Sequence, residues 1–123
     1  MISADLSQCS MHDLFRTEAE SQTQVLTDGL LALERDPRSA AQLEACMRAA
    51  HSLKGAARIV DIDAAVSLAH AMEDLFVGAQ DGRVALDQGS IDLLLRGVDL
   101  MRNVAATSQA DPQTERGRQA IEP

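Results

Sequence analysis

The chain has 123 residues, 46% of them apolar, which is material for one compact core and not for two. A formal net charge of -8 argues against a phosphate-backbone ligand, and two Phe with no Trp or Tyr leave almost no platforms on which unpaired bases could stack, so nucleic acid is not an expected partner. No run approaches the roughly 20 apolar residues of a membrane span, and the opening MISADLSQCSMHDLF lacks the basic and apolar regions of a secretory signal, so the expectation is a cytoplasmic protein without membrane insertion.

Helical period runs through most of the chain, and no stretch alternates as a strand does. A leader of residues 1–9 precedes a first helix predicted from about Ser10 to Arg35, with Phe15, Ala19, Gln22, Leu26, Leu30 and Leu33 on one stripe. Asp36-Pro37 breaks it, because proline disfavours helix at the residue before it, and Ser39 is placed to cap the next helix. That helix is predicted to reach Ile59, burying Leu43, Cys46, Met47, Ala50, Leu53 and Ala57. Asp61 or Asp63 is the expected cap of a third helix ending near Ala79, with Ala65, Leu68, Ala69, Met72, Leu75, Phe76 and Ala79 inward. After the turn Gln80-Asp81-Gly82-Arg83, a fourth helix from about Asp87 to Ala106 carries Ile91, Leu94, Leu95, Val98, Met101 and Ala105. From 107 to 123 the sequence is polar and interrupted by proline, as expected of a tail or linker with at most a weak fifth helix. Four striped helices with short turns predict an all-α, antiparallel four-helix bundle over residues 10–106. Cys9 and Cys46 read as a free thiol and a small core residue, not as a disulfide or metal pair.

Function must rest on residues the bundle does not need. In steps of three and four, His51 shares a helix face with Glu44, Arg48, Gly55 and Arg58, beside the apolar stripe, so its ring is expected to be accessible. Gly55 lies one turn on, in mid-helix, where glycine costs on the order of 1 kcal/mol against alanine. A missing side chain next to an exposed imidazole suits the close approach of another protein's active site. Lys54 is the only lysine in the chain and adjoins the same surface, where an ammonium could shield the charge of a phosphoryl group on the ring. On the third helix His70 and Glu73 stand at i,i+3 with Val66 and Val77 and can turn toward His51. A carboxylate accepting from one ring nitrogen fixes the tautomer and leaves the other nitrogen free to attack phosphorus.

The run AAHSLKGAARIVDIDAAVSLAHAMEDLF, with its A-H-S-[LI]-K-G core and later H-x-M-E element, resembles the histidine phosphotransfer (HPt) domain of CheA-type chemotaxis histidine kinases. The resemblance implies that His51 is the phosphorylation site and that Lys54, Gly55, His70 and Glu73 are its accompanying residues. It implies two partners, the ATP-binding catalytic domain of a CheA-type kinase and a response-regulator receiver, which would dock over Arg48, His51, Lys54, Gly55 and Arg58. ATP and magnesium would belong to the kinase domain and magnesium to the receiver, so the domain itself is expected to bind no cofactor and no metal and to be a carrier, not an enzyme. Among such kinases the whole chain, including LFRTEAESQTQVLTDGLLALE, looks most like those of Wsp-type surface-sensing systems, whose output is a cyclic-di-GMP-synthesising regulator. It departs from the family in Ala56-Ala57-Arg58, which adds a cation after the core glycine, and in a polar tail where a fifth helix is common. Two other classes share the helix pattern. A carboxylate-bridged metal bundle would use E-x-x-H pairs, of which this chain offers only the reversed His70-x-x-Glu73, and an adaptor bundle would carry no phosphoryl group.

Overall fold

The computed structural model describes residues 2–108, with side chains from 11 to 108. Four helices run in the order α1 (Ile2–Arg35), α2 (Ala40–Ile59), α3 (Asp63–Gln80) and α4 (Gln88–Thr107). α1 packs on α2 and α4, and α3 packs on α2 and α4, while the backbones of the diagonal pairs stay apart, so the helices stand at the corners of a square around one core. Short connections make consecutive helices antiparallel. α1 begins well before Ser10, within the stretch expected to be a leader, because nothing between Ile2 and Cys9 is a glycine or proline that would stop it. Cys9 and most of the expected tail lie outside the residues whose side chains are described.

The helix boundaries have local causes. Ser39 caps α2 by accepting from the Gln42 N–H at 3.3 Å, and Asp87 caps α4 by accepting from Ser90 N–H at 2.8 Å. Neither aspartate expected to cap α3 does so, for the cap position is Ile62, without a side-chain hydrogen bond. Asp61 is committed to ending α2: it takes the left-handed conformation at φ 62°, its N–H donates to the Arg58 carbonyl and the Ile62 N–H to the Ala57 carbonyl. That is a Schellman closure with aspartate where glycine is usual, and it places Asp63 inside the first turn of α3. Gly82, at φ 78°, closes α3 in the same way, with Arg83 N–H donating to the Gly78 carbonyl at 2.8 Å.

The core is a single cluster running from Phe15 to Ala105 and centred on Leu26, Leu30, Leu53, Phe76, Leu94 and Met101. In each helix the stripe is displaced slightly from the sequence expectation. Thr23 is buried where Gln22 was expected, and Ala49 joins α2's buried face, while Met47, Leu68, Leu75, Ala79 and Leu95 are only partly buried. A polar Thr23 is tolerated there because its hydroxyl donates to the Ala19 carbonyl at 2.6 Å and accepts from Arg102 Nε at 3.2 Å. α2 and α3 share the most extensive helix contact and α3 and α4 the least. Ala50, Ala57, Ala65 and Ala69 are all fully buried, and such small side chains let helix axes approach closely. Where α1 meets α2, a Cβ on Gly29 would collide with Cys46 Sγ. Burial pushes that thiol up to about 12, which makes Cys46 a packing residue and not a nucleophile.

Candidate functional site

α2 presents His51 outward while its neighbours Ala50 and Leu53 point into the core, so the rigid core face of the helix sets the direction of the ring. The imidazole is 65% exposed, and its Nδ1 lies 2.8 Å from Oε2 of Glu73 on α3. The carboxylate beneath it is only 14% exposed. Its other oxygen, Oε1, lies 2.7 Å from Lys54 Nζ, in an ion pair whose angle falls short of a hydrogen bond and which leaves that oxygen with no other partner. Burial raises the Glu73 pKa, but Lys54 and His51, through hydrogen bonding and charge, outweigh it and hold the carboxyl below its ordinary value of 4.5. Glu73 is therefore an acceptor at neutral pH, and the proton between the two groups sits on Nδ1 of His51. In the neutral ring this puts the lone pair on Nε2, the nitrogen away from the carboxylate.

Lys54 has a different place from the one expected of a phosphoryl shield. Its side chain is 15% exposed and its ammonium is drawn under the ring toward Glu73, so it acts first on the carboxylate. The signal for this pairing was available, as the chain's only lysine and a glutamate on facing helices, but sequence alone does not say which helices face. His70 is exposed at 57% and points along its own helix, with Nε2 3.6 Å from Asp74 Oδ2. Among the described residues no hydrogen bond or ion pair joins it to His51, Lys54 or Glu73. The i,i+4 spacing of His70 and Asp74 could have suggested that pairing.

The surroundings of the ring are open. Gly55 is exposed, and a Cβ built there would meet nothing within 4 Å, so no internal contact requires glycine. Arg48, one turn before His51, is tied by Nε to Glu44 Oε2 at 2.5 Å, and Glu44 also accepts from Gln80 Nε2 of α3 at 3.1 Å. Arg58, two turns after His51, is exposed and enters no ion pair among the described residues. A shallow groove between α1 and α2 borders the ring, lined by Gln22, Val25, Met47, Arg48 and Ser52. The arrangement is an oriented, accessible ring nitrogen beside a shallow open groove, with Arg48 and Arg58 exposed on the same helix, and not an enclosed pocket of the kind that binds a small substrate. Among the described residues no three His, Cys, Asp or Glu side chains gather as metal ligands would, and no helix is long and apolar enough to cross a membrane.

Residues 10–106 match the Hpt domain family. The chain is 36% identical over 88 residues to the chemotaxis protein CheA of Treponema pallidum, covering 72% of this chain and 11% of that protein. It is 30% identical over 102 residues to CheA of Borreliella burgdorferi, covering 83% of this chain and 12% of that one. The chain thus spans about a ninth of the length of the curated relatives it matches. Among solved structures it is similar to the CheA phosphotransferase domain from Thermotoga maritima, with a TM-score of 0.76 and 26% identity, covering 80% of this chain and 93% of that one. A second similar structure is the phosphorylated P1 domain of CheA3 in complex with CheY6 from R. sphaeroides, with a TM-score of 0.72 and 27% identity, covering 91% of this chain and 89% of that one.

Proposed function

The chain belongs to the Hpt family of phosphotransfer domains, and on that premise we propose that His51 is its phosphoacceptor, with Nε2 as the reacting atom. The observation that carries this reading is the largely covered Glu73 carboxylate, braced by Lys54, on Nδ1 of an otherwise exposed ring. It selects the tautomer in which Nε2 is nucleophilic, and its charge stabilises the positive ring that forms when Nε2 is phosphorylated.

Two transfers follow. In the first, the Nε2 lone pair attacks the γ-phosphorus of ATP held by a kinase catalytic domain, the Nε2–P bond forms, the bridging P–O bond breaks and ADP leaves. In the second, an aspartate oxygen of a receiver attacks the same phosphorus, and the bond electrons return to Nε2. The proton stays on Nδ1, donated to the Glu73 carboxylate, through both, so the carrier has no proton to dispose of. Positioning and charge neutralisation do most of the work in such transfers, and ATP and magnesium belong to the partners. The receiver docks over Arg48, Gly55 and Arg58, where the absent side chain of Gly55 admits it to the ring. His70, the remaining polar group of the later motif, acts in our reading from α3's exposed edge.

The parent protein in this reading is a CheA-type histidine kinase in the cytoplasm. The resemblance of LFRTEAESQTQVLTDGLLALE and its surroundings favours the kinase WspE of a Wsp-type system, and with it a receiver on a cyclic-di-GMP-synthesising regulator. Incubating the protein with a CheA-type kinase domain and labelled ATP tests the assignment. Acid-labile, alkali-stable label lost in His51→Gln is the expected result, and label that persists in that variant, or never appears in either protein, overturns it.

A further inference from the structure

Of the cations around His51, Lys54 is drawn inward to Glu73 and Arg58 stands two helical turns away, about 10 Å along the axis. Arg48 is different. It lies at i-3 from His51, within side-chain reach on a helix surface; its side chain is 75% exposed, and among the described residues its ion pair is with Glu44. Glu44 is in turn held by Gln80 from α3, so the carboxylate is fixed while the arginine can leave it. Hydrogen bonds from Arg48 and then Gln80 hold the Glu44 carboxyl below its ordinary value, so it is charged and competes for the arginine at neutral pH.

We infer that Arg48 is a phosphoryl-positioning residue that changes partner, bonded to Glu44 while His51 is unmodified and swung onto the phosphoryl oxygens once His51 carries the group. Exposed i,i+4 pairs are among the weakest ion pairs, so leaving Glu44 costs little. A dianionic phosphoryl group offers more charge and a fork of oxygens matched to a guanidinium. The swap neutralises the phosphoryl group on the solvent side, opposite the ring's contact with Glu73, and Glu44 sets how readily it occurs. The inference rests on His51 being the acceptor.

Phosphoramidate, which needs no kinase, supplies the group in the test: Nε2 displaces ammonia as the Nε2–P bond forms and the donor's P–N bond breaks. ³¹P NMR then follows the last ionisation of the bound phosphoryl group with pH. Removing a cation at about 4 Å across water should raise that midpoint by about half a pH unit or more. Arg48→Gln is expected to raise it by that amount, and Glu44→Gln to lower it by releasing the arginine. Arg96→Gln, which removes an exposed cation on α4, serves as the measure of net charge alone. The Arg48 Nε–H resonance should move on phosphorylation of the unaltered protein and not in His51→Gln. A midpoint in Arg48→Gln no different from that in Arg96→Gln, or an Arg48 resonance unmoved by phosphorylation, overturns the inference. Failure of the unaltered protein to show any phosphohistidine signal overturns the acceptor assignment itself, a distinguishable result.

Discussion

Among the described residues two histidines have a ring nitrogen within hydrogen-bond distance of an oxygen, and they differ in what bears on chemistry. His12 Nδ1 meets the Ser108 hydroxyl at 3.0 Å where α1 passes the end of α4, and Arg16 donates to the Ser108 carbonyl at 2.6 Å, closing that corner of the bundle. The ring is partly buried, and a hydroxyl can donate or accept, so it selects no tautomer. His51 meets a carboxylate that can only accept, is kept charged by Lys54 and is fixed by burial, while the rest of the ring faces solvent beside a glycine. Proximity of a ring to an oxygen is thus common to a structural clamp and to the proposed phosphoacceptor. What separates them is the acceptor's charge and the clearance above the ring.

The largest expected effect tests the separation outright. His51→Gln should abolish phosphorylation while leaving helical content and melting temperature close to those of the parent, since the ring is outside the core; labelling at His12 or His70 would erase the distinction. Next comes the orienting carboxylate. Glu73→Ala should remain folded and lower the rate of phosphoryl acceptance about tenfold or more, within the range that positioned acid–base groups contribute. Nitrogen NMR of the ring should show the Nδ1–H tautomer losing its dominance, and an unchanged tautomer and rate would make Glu73 an ordinary surface charge.

A third experiment separates access from orientation. Gly55→Ala should stabilise the protein by about 1 kcal/mol, because the helix gains propensity and the new Cβ meets nothing within 4 Å. Gly55→Leu should label normally with phosphoramidate yet pass its phosphoryl group to a receiver several-fold more slowly; equal transfer rates would remove access from the explanation. The clamp predicts the opposite pattern: His12→Ala should cost about 1 kcal/mol of stability for its lost hydrogen bond and leave labelling unchanged.

The smallest effect concerns pH. Lys54 and His51 hold the Glu73 pKa below 4.5 in the folded protein against the opposing effect of burial, so the unfolded chain binds that proton more readily. The stability Glu73 contributes is complete above its ordinary carboxyl range and is lost as pH falls through the depressed folded value. Denaturation curves of the parent and Glu73→Gln should therefore differ near pH 7 and converge in acid. A constant offset at every pH would mean that the carboxylate's charge contributes nothing.

Helix identity and the outward direction of His51 were legible because both are properties of a single segment. Stripes at helical spacing, Asp36-Pro37, Ser39 and Gly82 mark most of the boundaries, and counting from Leu53 and Ala57 puts His51 off the buried face. The boundary before α3 was less legible, because Asp61 and Asp63 both look like caps until Asp61 is seen closing α2. α1 starts before the expected Ser10 because residues 2–9 hold no glycine or proline that would stop it, and the absence of a stop is a weaker signal than a cap.

By itself, then, the sequence determined four helices, one core and an exposed histidine next to a glycine, since periodicity and local steric rules act within one helix at a time. The chemistry of a carboxylate had pointed to Glu73 as the acceptor on the ring, and the contact is there, but that Lys54 joins it and His70 does not was decided only by how α2 and α3 meet. Glu73 and His70 sit one turn apart on α3, and nothing in their spacing tells which one faces His51. The packing of the two helices brings Glu73 beneath the ring, brings Lys54 to it from the other helix and leaves His70 with Asp74. The physical reason is that a helix rotates by 100° per residue, so the relative rotation of two packed helices selects a single residue where sequence spacing offers a pair.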